Sequence, residues 1–365
     1  MGLHVSNSTA YRVVFAFVSC LTVCVQAETP IEGHVFYYGW YGNPETDGGW
    51  RAWNHQVILR EGGGDTHKPP DDIGSNFYPA DGLYSSNSRD DVARQMLQLK
   101  QAGCGVVAAT WWGIDHFSNK SMEVLFDIAA EHGIKVCFHI EPFPGRNAAT
   151  VREALVYLLD KYGKHPALYH CAAKNNLPMI YIYDSYLVPA EEWATLFKPD
   201  GAITVRNTEY DVAAIGLWVK RNEETFMLKG GFDGFYTYFA SDGFTYGSTP
   251  KNWPLMAAWA KEHNLLFIPS VAPGYVDTRI RPWNDRNTRG RENGAYYDRM
   301  FKAALDINVP IVSITSFNEW HEGTQIEPAV PKNTSDFVYE DYGDKAPDYY
   351  LERTKYWLQE QNKAN

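Results

Sequence analysis

Cysteine is scarce in this chain, with five among 365 residues, and beyond residue 27 only Cys104, Cys137 and Cys171 remain. Three cysteines without paired spacing define neither a disulfide framework nor a zinc site. Cys104 and Cys137 fall in or beside expected strands, where buried free thiols are ordinary. Basic residues are short as well, 33 Lys and Arg against 44 Asp and Glu, for a formal charge of -11. That balance excludes the dense basic footprint of a nucleic-acid partner. Neither a Gly-x-Ser-x-Gly elbow nor a phosphate-binding glycine loop occurs, which removes the usual residues of acyl and phosphoryl transfer. His321-Glu322 opens a zinc-hydrolase pattern, but position 325 is Gln where the second His would stand. No metal and no cofactor are therefore expected.

Long hydrophobic runs are absent apart from residues 13–25, which carry no charge. Thirteen helical residues reach about 20 Å, short of the roughly 30 Å hydrocarbon slab. The length suits a secretory signal, and Val25-Gln-Ala27 fits cleavage after a small residue. The expectation is a signal peptide or signal-anchor over residues 1–27 and one catalytic domain over 28–365. Membrane attachment is expected only through that first segment. The compartment follows as the secretory pathway or exterior, with a bacterial periplasm or cell surface as the alternative. Asn-x-Ser/Thr acceptors stand at Asn119 and Asn333, and at Asn7 inside the signal.

Aromatic residues are abundant, 15% of the chain with 12 Trp and 24 Tyr, and hydrophobic residues reach 45%. That content supports a substantial core. Trp and Tyr offer sugars a flat apolar face and a polar tip. Apolar, β-branched or aromatic runs recur at 34–38, 105–110, 135–140, 179–183, 202–206, 232–238, 265–271 and 311–316. Amphipathic stretches separate them at 88–102, 121–132, 149–162, 191–197, 213–228, 253–263 and 293–307, and a last one covers 347–361. Gly103, Gly133 and Gly163 stand where helices should stop, and Ser88 where one should start. Eight strand-helix units predict a (β/α)₈ TIM barrel of α/β class, a single domain with extended βα loops. An open doubly wound sheet is disfavoured because no glycine-rich turn follows the first strand.

Catalytic side chains of such a barrel gather at the C-terminal ends of its strands. Here those ends carry Trp40 and Tyr41, Trp111 and Trp112, Glu141, Asp184 and Tyr186, Tyr236 and Tyr238, Tyr275, and Asn318 and Glu319. Past the eighth strand runs Ser316-Phe-Asn-Glu-Trp-His-Glu-Gly-Thr-Gln-Ile-Glu-Pro328. Glu319 and Glu322 lie three apart within it, flanked by Asn318, Trp320 and His321. A pair of carboxyl groups at a barrel mouth is what splitting a glycosidic bond requires, one to move a proton at the leaving oxygen and one to drive displacement at the anomeric carbon. On the third strand the period of two places Cys137, His139 and Glu141 on one face, which aims Glu141 into the mouth. His139 below it reads as an interior histidine. A non-catalytic glycan-binding barrel would share the aromatic rim, but has no need of both Glu319 and Glu322.

Together these segments resemble the endo-α-1,2-mannosidases of glycoside hydrolase family ninety-nine. The resemblance runs from about His34 to the final helix. It rests on Tyr38-Gly-Trp-Tyr-Gly-Asn-Pro44, Pro69-Pro-Asp-Asp-Ile-Gly74, Phe138-His-Ile-Glu-Pro142 and Tyr183-Asp-Ser-Tyr186. It continues through residues 231–239, Ile280-Arg-Pro-Trp-Asn284 and residues 316–327. The resemblance implies retaining, endo-acting cleavage of internal α-1,2-mannosidic linkages in glucose- or mannose-capped high-mannose glycans or mannan. It further implies that the sugar's own 2-hydroxyl attacks the anomeric carbon to form a 1,2-anhydro intermediate. Glu319 would then be the base on that hydroxyl, and Glu322 the general acid and later base. Glu141, Trp112, Tyr41, Tyr186, Tyr236, Tyr238, Asn318 and His321 would bind the oligosaccharide. Trp111-Trp112 is nearer to bacterial members than to animal Golgi enzymes, which look like Trp-Tyr there.

Overall fold

A computed structural model describes residues 31–360 together with the first two residues. The signal-type segment lies outside the described residues. Nine parallel strand segments form the barrel: β1 Glu32–Tyr37, β2 Val106–Trp111, β3 Lys135–Ile140, β4 Leu177–Ile182, β5 Ala213–Leu217, β6 Gly234–Tyr236, β7 Leu266–Ile268, β8 Ser270–Val271 and β9 Ile311–Ile314. Each pairs with its sequence neighbour from β1 to β7, β8 pairs with β9, and β9 returns to β1. β7 and β8 are halves of one barrel strand, separated by Pro269, which has no N–H to give the ladder. Counted so, eight strands close the barrel.

A helix follows every strand: α1 Arg89–Gln101, α2 Phe117–His132, α3 Ala148–Tyr162, α4 Ala190–Phe197, α5 Glu224–Gly230, α6 Trp253–Glu262, α7 Ala295–Leu305 and α8 Tyr349–Lys355. Local chemistry sets their ends. The Ser88 hydroxyl accepts the Asp91 N–H at the start of α1, and Gly133 at φ 74° closes α2 in a conformation that residues with a Cβ avoid. Among the described residues no helix is long and apolar enough to cross a membrane.

One strand differs from the sequence expectation. Residues 202–206 form turns, and the fifth strand is Ala213–Leu217, which the sequence assigns to the start of a helix. Its small residues read as helical, yet all five are buried, as a parallel strand covered on both faces requires. The 202–206 segment is held instead by Arg206, which pairs with Asp211 at 3.0 Å and Asp233 at 2.8 Å and donates to the carbonyls of Phe197, Val212 and Gly231.

Aromatic side chains fill the barrel in layers. The Phe36 ring lies 4.6 Å from that of His139, 5.4 Å from Tyr181 and 5.5 Å from Tyr236. The polar atoms in this core find one another: His34 Nδ1 with the Tyr181 hydroxyl at 2.7 Å, His139 Nε2 with the Tyr236 hydroxyl at 2.8 Å. Above them the hydroxyls of Tyr38 and Tyr238 are hydrogen-bonded and floor the mouth. The long segment between β1 and α1 folds over that mouth. Its far end is clasped by His67, Asp72 and Arg279, and residues 78–79 pair antiparallel with residues 329–330.

Candidate active site

The chain leaves β9 and turns back on itself at the C-terminal mouth. The Ser316 N–H donates to the Thr324 carbonyl at 2.9 Å, and its hydroxyl accepts the Glu319 N–H at 2.8 Å. Between them Trp320–Glu322 makes one tight 3₁₀ turn. Gly323 ends it at φ 58°, where an added Cβ would meet the Val276 carbonyl oxygen at 2.7 Å. This turn carries both glutamates.

Glu319 is buried, and its Oε1 accepts the His321 N–H at 3.1 Å. Burial drives its carboxyl well above the usual carboxylate range, and nearby Glu322 adds to the rise, while Arg281 opposes it. The Glu322 side chain remains 25% exposed, and its Oε1 lies 3.3 Å from Arg281 Nη1. Burial raises Glu322 too, but the Arg281 guanidinium holds it back. Arg281 is itself steered by Asp277 at 3.0 Å, whose buried carboxylate also accepts from the Tyr275 hydroxyl and the Asn284 amide.

Glu322 opens onto a cleft of about 380 Å³ walled by Tyr238, Phe239, Phe244, Tyr275 and Trp283. On the other side of the turn, His321, Trp40, Trp50, His55, His116 and Phe117 line a hollow of about 470 Å³. Burial lowers the His321 pKa to about 3, so its imidazole is neutral at working pH. Nδ1 lies 2.7 Å from the Gly74 carbonyl, which only accepts, so the proton sits there. Nε2 is left a buried acceptor without a partner. The indole N–H groups of Trp40 and Trp112 are likewise buried and unpartnered. Unmet donors and acceptors beside aromatic faces match the hydroxyl-rich, flat-faced chemistry of a sugar.

The fold places the remaining candidate residues in two groups. Trp112 is half-buried and stacks on Trp40 with ring centroids 6.0 Å apart. Glu141 is buried with Oε1 3.2 Å from His139 Nδ1, and burial raises its pKa well above the usual range. Tyr186 sits half-exposed at the rim, with the Lys220 amine 6.0 Å from its ring centre. Tyr41, Asn318 and Tyr236 do not reach either hollow. Tyr41 is fully buried, and its hydroxyl donates to the Asn318 carbonyl at 2.9 Å while accepting the Trp320 N–H at 3.2 Å. The Asn318 amide clamps the backbone of Tyr38. Tyr236 belongs to the barrel interior. These three shape the site from beneath rather than from its surface.

The Glycosyl hydrolase family 99 profile matches residues 31–363, nearly the whole described region. The chain belongs to that family. It is 46% identical over 339 residues to a glycoprotein endo-alpha-1,2-mannosidase of Xenopus laevis, covering 89% of this chain and 76% of the relative. The corresponding protein of Mus musculus is 45% identical over 345 residues, at 90% and 75% coverage. The structure of the GH99 endo-alpha-mannosidase from Bacteroides thetaiotaomicron superposes with a TM-score of 0.88 at 51% identity, over 92% of this chain and 98% of that one. As a member of family 99 the chain is a glycoside hydrolase.

Sequence reasoning passed over several residues that the fold brings to the site. Arg281 and Asp277 reach Glu322 from the loop after β8, beside the rim residue Tyr275, and Trp283 walls the same cleft. Arg281 and Trp283 stand inside the segment Ile280-Arg-Pro-Trp-Asn284, so a signal was present without a role. Trp40 was legible only as rim. Among the described residues no group of three or more His, Cys, Asp or Glu could hold a metal ion.

Proposed function

We propose that this glycoside hydrolase is a retaining endo-α-1,2-mannosidase that cuts inside glucose- or mannose-capped mannose chains, with Glu319 and Glu322 as its two working carboxyl groups. One observation carries the reading. On a single turn at the barrel mouth, one glutamate is buried and accepts the His321 N–H, and its neighbour faces an aromatic cleft.

In the proposed reaction Glu319 takes the proton of the 2-hydroxyl, and O2 displaces the leaving oxygen from C1 to close a 1,2-anhydro ring. Glu322 gives its proton to the departing sugar. The Glu322 carboxylate then takes a proton from water, whose oxygen opens the ring at C1, and Glu319 returns its proton to O2. Two inversions at C1 amount to retention, an arrangement that belongs to the substrate-assisted exceptions among retaining glycosidases. Burial raises both carboxyls and Arg281 opposes the rise in each, so the pair readily retains a proton. A 2-hydroxyl bonded to Glu319 favours the carboxylate there and moves the proton preference toward Glu322.

The hollow beside His321 suits the non-reducing sugars, with Trp40 in its wall and Trp112 stacked on Trp40. The cleft at Glu322 suits the leaving chain. Processing through the secretory pathway, with residues 1–27 as the address, agrees with such a substrate. Digestion of a glucosylated high-mannose glycan beside a yeast-type mannan, with products weighed by mass spectrometry, tests the reading. Release of a disaccharide or longer capped piece is expected from at least one. Release of single mannose residues only would defeat the endo-acting assignment.

A further inference from the structure

Glu327 closes the catalytic loop five residues beyond Glu322, only 2% exposed and outside the walls of both hollows. Nothing in the reaction above uses it. Burying a carboxylate is costly unless its oxygens are met by donors, and here three meet them. Oε2 accepts the Tyr84 O–H at 2.7 Å and the Trp320 indole N–H at 2.9 Å, and Oε1 accepts the Gln95 amide at 2.8 Å. The direction of Gln95 is not free either. Its Oε1 accepts the Tyr37 O–H at 2.6 Å, so its NH₂ must face Glu327. Every group around position 327 therefore gives a hydrogen, and only an acceptor fits.

The bonds continue to both neighbours of Glu319. With its own hydrogen committed to Glu327, Tyr84 offers a lone pair to the Asn318 amide at 3.1 Å. Trp320, fully buried, is tied at its ring to Glu327 and at its backbone N–H to Tyr41. Glu319 stands between Asn318 and Trp320. We propose that Glu327 is a positioning residue for hydrolysis: by accepting from Tyr84 and Trp320 at once it locks the two residues that flank Glu319 and so sets where the Glu319 carboxylate points. This inference rests on Glu319 and Glu322 being the catalytic pair.

A double-mutant cycle tests it with E327Q and Y84F, each purified as a monodisperse folded fraction and checked by near-ultraviolet circular dichroism. The E327Q amide must aim N–H groups at donors, while Y84F leaves the carboxylate and removes one link. Misplacing a reacting group by an ångström can cost about 100-fold, so kcat for a cleavable α-mannoside chain should fall between about 10- and 100-fold in each variant. KM should change far less than kcat, because neither hollow is touched. The double variant should be no slower than E327Q, since both break one chain of bonds. Wild-type kcat in folded E327Q and Y84F would overturn the inference, as would losses that multiply in the double variant. If E327Q does not fold, the Y84F kcat alone decides. E319Q run in parallel separates the two claims: full activity there would remove the catalytic reading and this inference with it. Loss in E319Q with none in E327Q or Y84F would remove this inference alone.

Discussion

Glu319 and Glu322 have the same side chain and sit three residues apart, yet the fold gives them different surroundings. Glu319 is shut in behind the turn, whereas Glu322 meets both the cleft and Arg281. If Glu322 protonates the leaving sugar, Glu322→Gln should lose about 10²- to 10⁴-fold on natural glycans. A substrate with an acidic leaving group needs less protonation and should be largely spared; equal loss on both would count against the assignment. Glu319 calls for a different measurement, because a base and a nucleophile are both glutamates. A 2-fluoro mannoside with a good leaving group lacks the hydroxyl that Glu319 is proposed to activate. Incubation should leave the intact-protein mass unchanged, and an adduct mapping to Glu319 would restore an ordinary carboxylate nucleophile. The pair itself was legible in the sequence because strand, turn and acids are contiguous there. Arg281 was not, since its approach to Glu322 depends on where the loop after β8 returns.

Elements place these residues, and one of them was misread. The stretch 213–228 mixes a buried strand, a turn and a short helix, and Ala213, Ala214 and Gly216 carry little strand signal of their own. What makes Ala213–Leu217 a strand is pairing with β4 and β6 on either side, a non-local fact that propensity does not contain. The loop before it relies on Arg206, whose side chain is 11% exposed with Asp211 and Asp233 at 14% and 22%. Removing one partner from a largely buried ion pair leaves the others uncompensated, at about 3–5 kcal/mol. Arg206→Ala should therefore lower unfolding free energy by roughly 3 kcal/mol in denaturant melts. Its kcat, measured on the folded fraction, should stay at the wild-type value because the clasp lies away from the turn that carries the glutamates. A loss under about 1 kcal/mol would mean that the loop is held by its backbone bonds.

At the scale of the whole molecule the mouth concentrates buried titratable groups, which links stability to pH. Burial raises Glu141, Glu319 and Glu322, and it raises Glu327 to about 7 despite the donors from Tyr84, Gln95 and Trp320. A carboxyl with a folded pKa above its unfolded one contributes stability present below the unfolded value and lost as pH rises through the folded value. Buried His139 and His321, each lowered to about 3, act oppositely: their contribution is present above the unfolded histidine pKa and fades as pH falls. The Glu327 contribution is lost as pH rises from its unfolded value of about 4.5 to its folded value of about 7, an interval in which the two histidines change in the opposite direction. That loss amounts to on the order of 3 kcal/mol. The melting temperature of the wild type minus that of Glu327→Gln cancels the histidines and should fall from about pH 5 to about pH 7.5. A difference that stays flat would place the titration elsewhere.

From the chain alone came the eight-unit alternation, the barrel class, the carboxylate pair and its place past the last strand. Each depends on residues close in sequence, where periodicity, caps and glycine stops act directly. Tertiary structure decided the rest. Tyr41, Asn318 and Tyr236 have the composition of a sugar-binding rim, but their positions turn them inward to one another and to the barrel core. Arg281 and Trp40 arrive from loops far along the chain, and Glu327 acquires its three donors from an α1 residue, a loop tyrosine and its own turn. Which side chain faces solvent at a strand end depends on how loops of unequal length pack over the mouth. That packing is a sum of long-range contacts, and no local window of sequence carries it.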